Sequence, residues 1–209
     1  MTATPARTEP VVDEVSRGFQ ASDLALIAVF AALMAVFALI PPIFTVGAVP
    51  FSLAMIIVLL APLVLGSIRS GAAMALYLLV GVAGLPVFSG GASGPAKLIG
   101  PTGGYLMGYI ACGLICGAVM TAVVARRPSR RVLPVVLSLI GVLGAVIVHV
   151  FGVAWFMVGP LHLTLGKALV TTGVFFPWDL VKAVLAGLLA TAVFMAYPRL
   201  MPRPHGARK

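Results

Sequence analysis

Pro177-Trp178-Asp179-Leu180-Val181-Lys182 sets two charges inside an otherwise apolar segment, and whether that segment is read as a membrane span decides the fold. Asp179 is the only acidic residue after Asp23. A carboxylate at bilayer depth is disfavoured by roughly 2.5 to 3.5 kcal/mol on insertion scales, so an intramembrane ionisable pair marks a functional site by default. Lys182 follows one helical turn later on the same face, where the two charges meet each other or share a ligand. The competing reading is an ion pair that only fixes helix packing, and such pairs are weak stabilisers.

The rest of the chain makes the segment a span. Of 209 residues 61% are hydrophobic and 9% charged, which lies far outside the soluble range. Spans of about 20 residues fit about six times once loops are allowed for. The net charge of +9 does not indicate nucleic acid, because its distribution is topological. Eleven of the 14 basic residues fall in an N-terminal tail, two short loops and a C-terminal tail: Arg7, Arg17, Arg69, Arg126, Arg127, Arg130, Arg131, Arg199, Arg203, Arg208 and Lys209. Such residues mark the cytoplasmic side. Lys97, Lys167 and Lys182 are left for the other face or the interior.

The expected spans are Ser22 to Ile40, Phe51 to Leu65 with Pro62 shortening or kinking it, then after a turn over Gly66 to Ser70 Gly71 to about Leu85, Gly104 to Ala125, Leu133 to Val158 and, after a loop from Gly159 to Thr172, a last one reaching about Tyr197. Residues 1–20 read as a disordered cytoplasmic tail, 21–198 as a six-helix membrane domain and 199–209 as a basic cytoplasmic tail. The first 20 residues hold no apolar core of signal-peptide length. The fold expected is therefore an all-α membrane protein with six transmembrane helices and both termini cytoplasmic, in the cell (plasma) membrane.

Between the third and fourth spans, Gly84 to Tyr105 holds seven glycines and three prolines. That density excludes a regular helix, and irregular backbone is tolerated at membrane depth only where protein or a cavity surrounds it. The segment is expected to be an outer loop folded back over a pocket. The last helix enters from the same side, with Pro177 in its first turn and Lys182 about 4.5 Å deeper than Asp179. Its N-terminus favours the carboxylate.

Smaller signals sort as follows. Ala28 with Ala32 and Ala31 with Ala35 form a small-residue face suited to close helix contact, as do Gly104 with Gly108 and Gly113 with Gly117. His149 reads as a satisfied, neutral packing histidine. Cys112 and Cys116 share one helix face and read as packing, and no metal or cofactor is expected. Gly166-Lys167-Ala168 lacks the upstream glycine and the Ser or Thr of a phosphate-binding loop. Gly91-Ala92-Ser93-Gly94 is similar to the serine motif of rhomboid intramembrane proteases, but the last span has no histidine to activate Ser93.

The central third of the chain resembles the BioY family, the biotin-specific membrane subunits (S components) of energy-coupling factor (ECF) transporters. The resemblance rests on Val49-Pro50-Phe51-Ser52-Leu53, on Leu76 to Phe88 ending in Gly-Leu-Pro-Val-Phe, on Gly100-Pro101-Thr102-Gly103-Gly104-Tyr105-Leu106, and on Asp179-x-x-Lys182. Ala54 departs from it, standing where a polar Gln commonly follows the Pro-Phe-Ser-Leu run. The resemblance implies a non-enzymatic subunit that captures biotin from outside and works with a transmembrane coupling subunit and ATP-binding subunits. It implies a ligand site drawn from Asp179, Lys182, Tyr105, Trp178, Thr102 and either Lys97 or Lys167, the last two being candidates for the valerate carboxylate. The alanine face of the first helix, Ala28, Ala31, Ala32 and Ala35, would dock the coupling subunit. A self-sufficient secondary transporter using the charge pair for ion coupling is the alternative.

Overall fold

The computed structural model describes residues 20–197 except 48 and 127. The expected tails, 1–20 and 199–209, lie outside the described residues apart from Gln20. Among the described residues eight helices follow in order: α1 (Ala21–Leu39), α2 (Ala54–Leu65), α3 (Ser67–Val82), α4 (Ala96–Ile99), α5 (Gly103–Ala125), α6 (Leu133–Val158), α7 (Leu165–Gly173) and α8 (Phe176–Ala196). One two-residue hairpin, β1 (Thr45–Val46) and β2 (Val49–Pro50), interrupts the helical chain between α1 and α2.

Four helices, α1, α5, α6 and α8, are long and apolar enough to cross a membrane. The apolar α2 and α3 are shorter. At 1.5 Å per residue they measure about 18 and 24 Å, less than a hydrocarbon core of about 30 Å. α2 begins three residues later than expected, where the Ser52 hydroxyl accepts the Ala54 N–H at 3.2 Å. α3 begins earlier than expected, so that the turn after α2 contracts to Gly66. Gly66 takes φ 77°, a left-handed value that suits glycine, and donates its N–H to the Pro62 carbonyl.

The architecture centres on α2. Ten of its twelve residues are buried, as expected of a helix that is apolar all round. It packs against α1, α3, α5, α6 and α8, which follow one another around it as an arc. Small residues bring the arc's members close. Cβ atoms at Gly113 and Gly117 would run into the backbone at the start of α3, and Cβ atoms at Gly104 and Gly108 would run into α6. The Ser70 hydroxyl, inside the α3–α5 seam, donates to the Gly113 carbonyl at 2.7 Å. Cys112 and Cys116 are free and buried in the same interior.

The segment expected as a loop from Gly159 to Thr172 contains α7 instead. Ala168 and Thr172, four residues apart, bury one face of it, and Ala168 joins Val49, Phe51, Phe156 and Phe175 in a small second core. That core ties α7 and the hairpin to the end of the bundle where α1 and α3 finish and α5 and α8 begin.

Candidate functional site

The two ends of the bundle differ in chemistry. At one, Arg69 pairs with Asp23 at 3.0 Å and Arg126 caps α5. At the other lies a cavity lined mainly by apolar and aromatic side chains, among them Val49, Met55, Tyr77, Phe88, Leu106, Tyr109, Val148 and Phe175, with Asp179 and Lys182 in its wall. Its enclosed volume is small, about 80 Å³, against roughly 300 to 1,000 Å³ for the usual small-molecule site.

Asp179 lies in the first turn of α8, as its sequence position implied, with its N–H bonded to the Phe175 carbonyl. Both charges are buried, Asp179 at 6% and Lys182 at 5% exposure. They meet directly, the Lys182 Nζ donating to Asp179 Oδ1 at 2.8 Å. The same ammonium donates to the Ser52 carbonyl at 3.0 Å and sits 3.7 Å from the centre of the Phe51 ring. These contacts offset a desolvation that an unpaired buried cation would not survive.

His149 completes the cluster, which sequence reasoning missed. Its Nδ1 bonds the Ala145 carbonyl at 2.9 Å, while Nε2 stands 3.5 Å from Asp179 Oδ2, within ion-pair distance but without hydrogen-bond geometry. Only half of the expected satisfied packing histidine is therefore present. The pairing was not legible because His149 and Asp179 lie 30 positions apart on different helices.

The glycine-rich segment does reach the cavity. Left-handed Gly90 and Gly91 turn the chain so that Phe88 pairs with Ala92, and Phe88, Ser89, Lys97 and Thr102 all line the space. Trp155 Nε1 donates to the Gly100 carbonyl at 2.9 Å and pins the segment to α6. Tyr105 lines the cavity with its hydroxyl 2.9 Å from Thr172 Oγ1 on α7. Tyr109, four residues on and thus on the same helix face, lines it too. That spacing was a usable signal.

Two expected ligand residues stand elsewhere. Trp178 is 53% exposed, its ring centre 6.2 Å from that of Phe51 in an edge-on pair, because neighbouring helical positions are about 100° apart and Asp179 faces inward. Lys167 is exposed on the face of α7 opposite Ala168 and Thr172. On α1, Ala28 and Ala32 are exposed, Ala31 is buried and Ala35 is half-buried, and the four line a groove with Leu76, Tyr77, Val80 and Val87.

An all-helical integral membrane protein with a charge pair in the wall of an apolar cavity is thus defined. The sequence matches the BioY family over residues 9–199, and the chain belongs to that family. It is 36% identical over 185 residues to the biotin transporter BioY of Rhizobium etli, covering 87% of this chain and 97% of that one. It is 31% identical to the biotin transporter BioY of Rhodobacter capsulatus, covering 84% and 95%. The crystal structure of the S-component for biotin from an ECF-type ABC transporter shares the fold with a TM-score of 0.73 at 22% identity, over 83% of this chain and 91% of that one.

Proposed function

We propose that this chain is the biotin-binding membrane subunit of an energy-coupling factor transporter, capturing the vitamin from outside while a coupling subunit and ATP-binding subunits drive uptake. The observation that carries the reading is the Asp179–Lys182 pair in the wall of an apolar cavity, in a chain of the BioY family whose relatives are named biotin transporters. Biotin's ureido group offers N–H donors and one carbonyl acceptor, so Asp179 accepts and Lys182 donates. Tyr105 packs against the bicycle, and Lys97 with Thr102 meets the valerate carboxylate. Lys97 is favoured over Lys167 because it lines the cavity. Ala54 also lines the cavity and offers a methyl where the family pattern places a polar side chain.

In this reading α1, α2, α3, α5, α6 and α8 are six spans in the plasma membrane, with both termini cytoplasmic. The arginines after α2 and α5, at the end away from the cavity, support that orientation. The groove of Ala28, Ala31, Ala32 and Ala35 is the docking face for the coupling subunit. The test is purification in detergent followed by thermal unfolding with and without biotin. Biotin that copurifies, or a melting temperature that climbs with biotin concentration, supports the reading, since a ligand specific to the native state must stabilise it. A melting temperature indifferent to saturating biotin in protein shown to be biotin-free rejects it.

A further inference from the structure

His149 has one ring nitrogen with a partner and one without. The Ala145 oxygen 2.9 Å from Nδ1 is a carbonyl and only accepts, so Nδ1 carries a proton. Nε2 is then left buried, without a hydrogen bond, 3.5 Å from Asp179 Oδ2. In a neutral ring this leaves the buried Nε2 lone pair without a donor, beside a carboxylate oxygen that is itself an acceptor. A single additional proton resolves the conflict. With Lys182 Nζ 2.8 Å from the other carboxylate oxygen, placing that proton on Nε2 gives an alternating row in which the anion lies between two cations.

The other groups facing this row are few. α8 contributes Asp179, Lys182 and the Phe176 ring, whose centre is 5.2 Å from the imidazole. α5 contributes Tyr105, 6.1 Å away and edge-on, and Tyr109 in the same cavity wall. α2 carries no titratable side chain, and the lysine of α7 is exposed.

We propose that His149 is a positioning residue for the ligand site. A proton on its Nε2, shared with Asp179 Oδ2, holds that oxygen to α6 and leaves the Oδ1 side, with Lys182, presented to the cavity. When pH rises and this proton leaves, His149 and Asp179 repel, the carboxylate loses its orientation and ligand affinity falls. The inference rests on the reading of the cavity as a biotin site.

The experiment measures biotin Kd in detergent from pH 6 to 9 for the wild type, His149→Gln and His149→Leu, alongside ¹⁵N-histidine spectra of the ligand-free protein. Wild-type affinity is expected to weaken roughly tenfold or more across the range, the effect of about one unit of linked titration. His149→Gln, whose amide donates at every pH, should bind with a flat profile, and His149→Leu should bind weakly throughout. In the spectra, Nε2 should be protonated at pH 6, and Asp179→Asn should lower the pH at which it loses that proton. Identical pH profiles in the wild type and His149→Gln, or an Nε2 unprotonated at pH 6, overturn the inference. Should the wild type bind no biotin at all, the functional reading fails while the spectra still decide whether the proton is shared.

Discussion

Two aspartate–cation pairs stand at opposite ends of this bundle, and their lengths are nearly the same. Asp23 and Arg69 meet at 3.0 Å, and Asp179 and Lys182 at 2.8 Å. The first joins α1 to α3, its arginine side chain 43% exposed, and Asp23 also accepts the Gln20 N–H at the start of α1. The second is buried on both sides and lies within one helix, held by Phe51, Ser52 and His149 from two other parts of the chain. Distance therefore says little about what a pair does. Exposed pairs contribute about 0 to 1 kcal/mol and are screened by salt. Buried ones repay their desolvation only when every donor and acceptor is met, and often stabilise no better than apolar residues would. Under the proposed function, a pair kept on those terms beside a cavity serves the ligand and not stability.

Several variants would break or sharpen this contrast. The largest effect is expected from Lys182→Ala, which strands a buried carboxylate: a loss of about 3 to 5 kcal/mol in unfolding free energy and no measurable biotin binding. Unfolding in detergent and equilibrium binding read the two losses separately. Replacing both charges, Asp179→Leu with Lys182→Leu, should bring stability back to within about 1 kcal/mol of the wild type or above it while binding stays lost. Retained binding in that double variant would show the pair to be structural. Ala32→Trp, in the groove away from both pairs, should leave biotin affinity unchanged and reduce uptake by the assembled transporter. Normal uptake would remove the docking role from α1. The smallest effect belongs to Asp23→Ala or Arg69→Ala, each costing about 1 kcal/mol or less, shrinking further in high salt, with binding intact. A binding defect there would mean the two ends are coupled.

Much of the frame was legible because bilayer solvation acts on composition. Long apolar runs, the arginines of 126–131 and Pro177 at the head of α8 located the helices to within a few residues, and α6 matched its expected limits. Errors clustered where local signals were ambiguous. The Gly66 to Ser70 stretch looked like a turn, yet a single left-handed glycine sufficed and the rest became helix. α7 was hidden between Gly166 and Gly173, and its helical form depends on burying Ala168 and Thr172 against distant aromatic residues. At the site, Asp179, Lys182, Tyr105, Thr102 and Lys97 do line one cavity, while Trp178 and Lys167 do not.

By itself the sequence determined that the chain belongs in a membrane, that the anomalous charges lie one turn apart at the head of the last helix, and that the glycine-rich segment is irregular apart from the one turn of α4 and the start of α5. These follow from transfer energies and helical periodicity, which act locally. Only the tertiary structure decided that α2 is the buried hub, that Lys182 is held by Ser52 and Phe51, and that His149 reaches Asp179 from another helix. Those contacts join residues 30 to 131 positions apart, and no local preference specifies them. They follow from how glycines such as Gly113 and Gly117 let the helices approach, and from the requirement that a buried charge be met by whatever the packing brings to it.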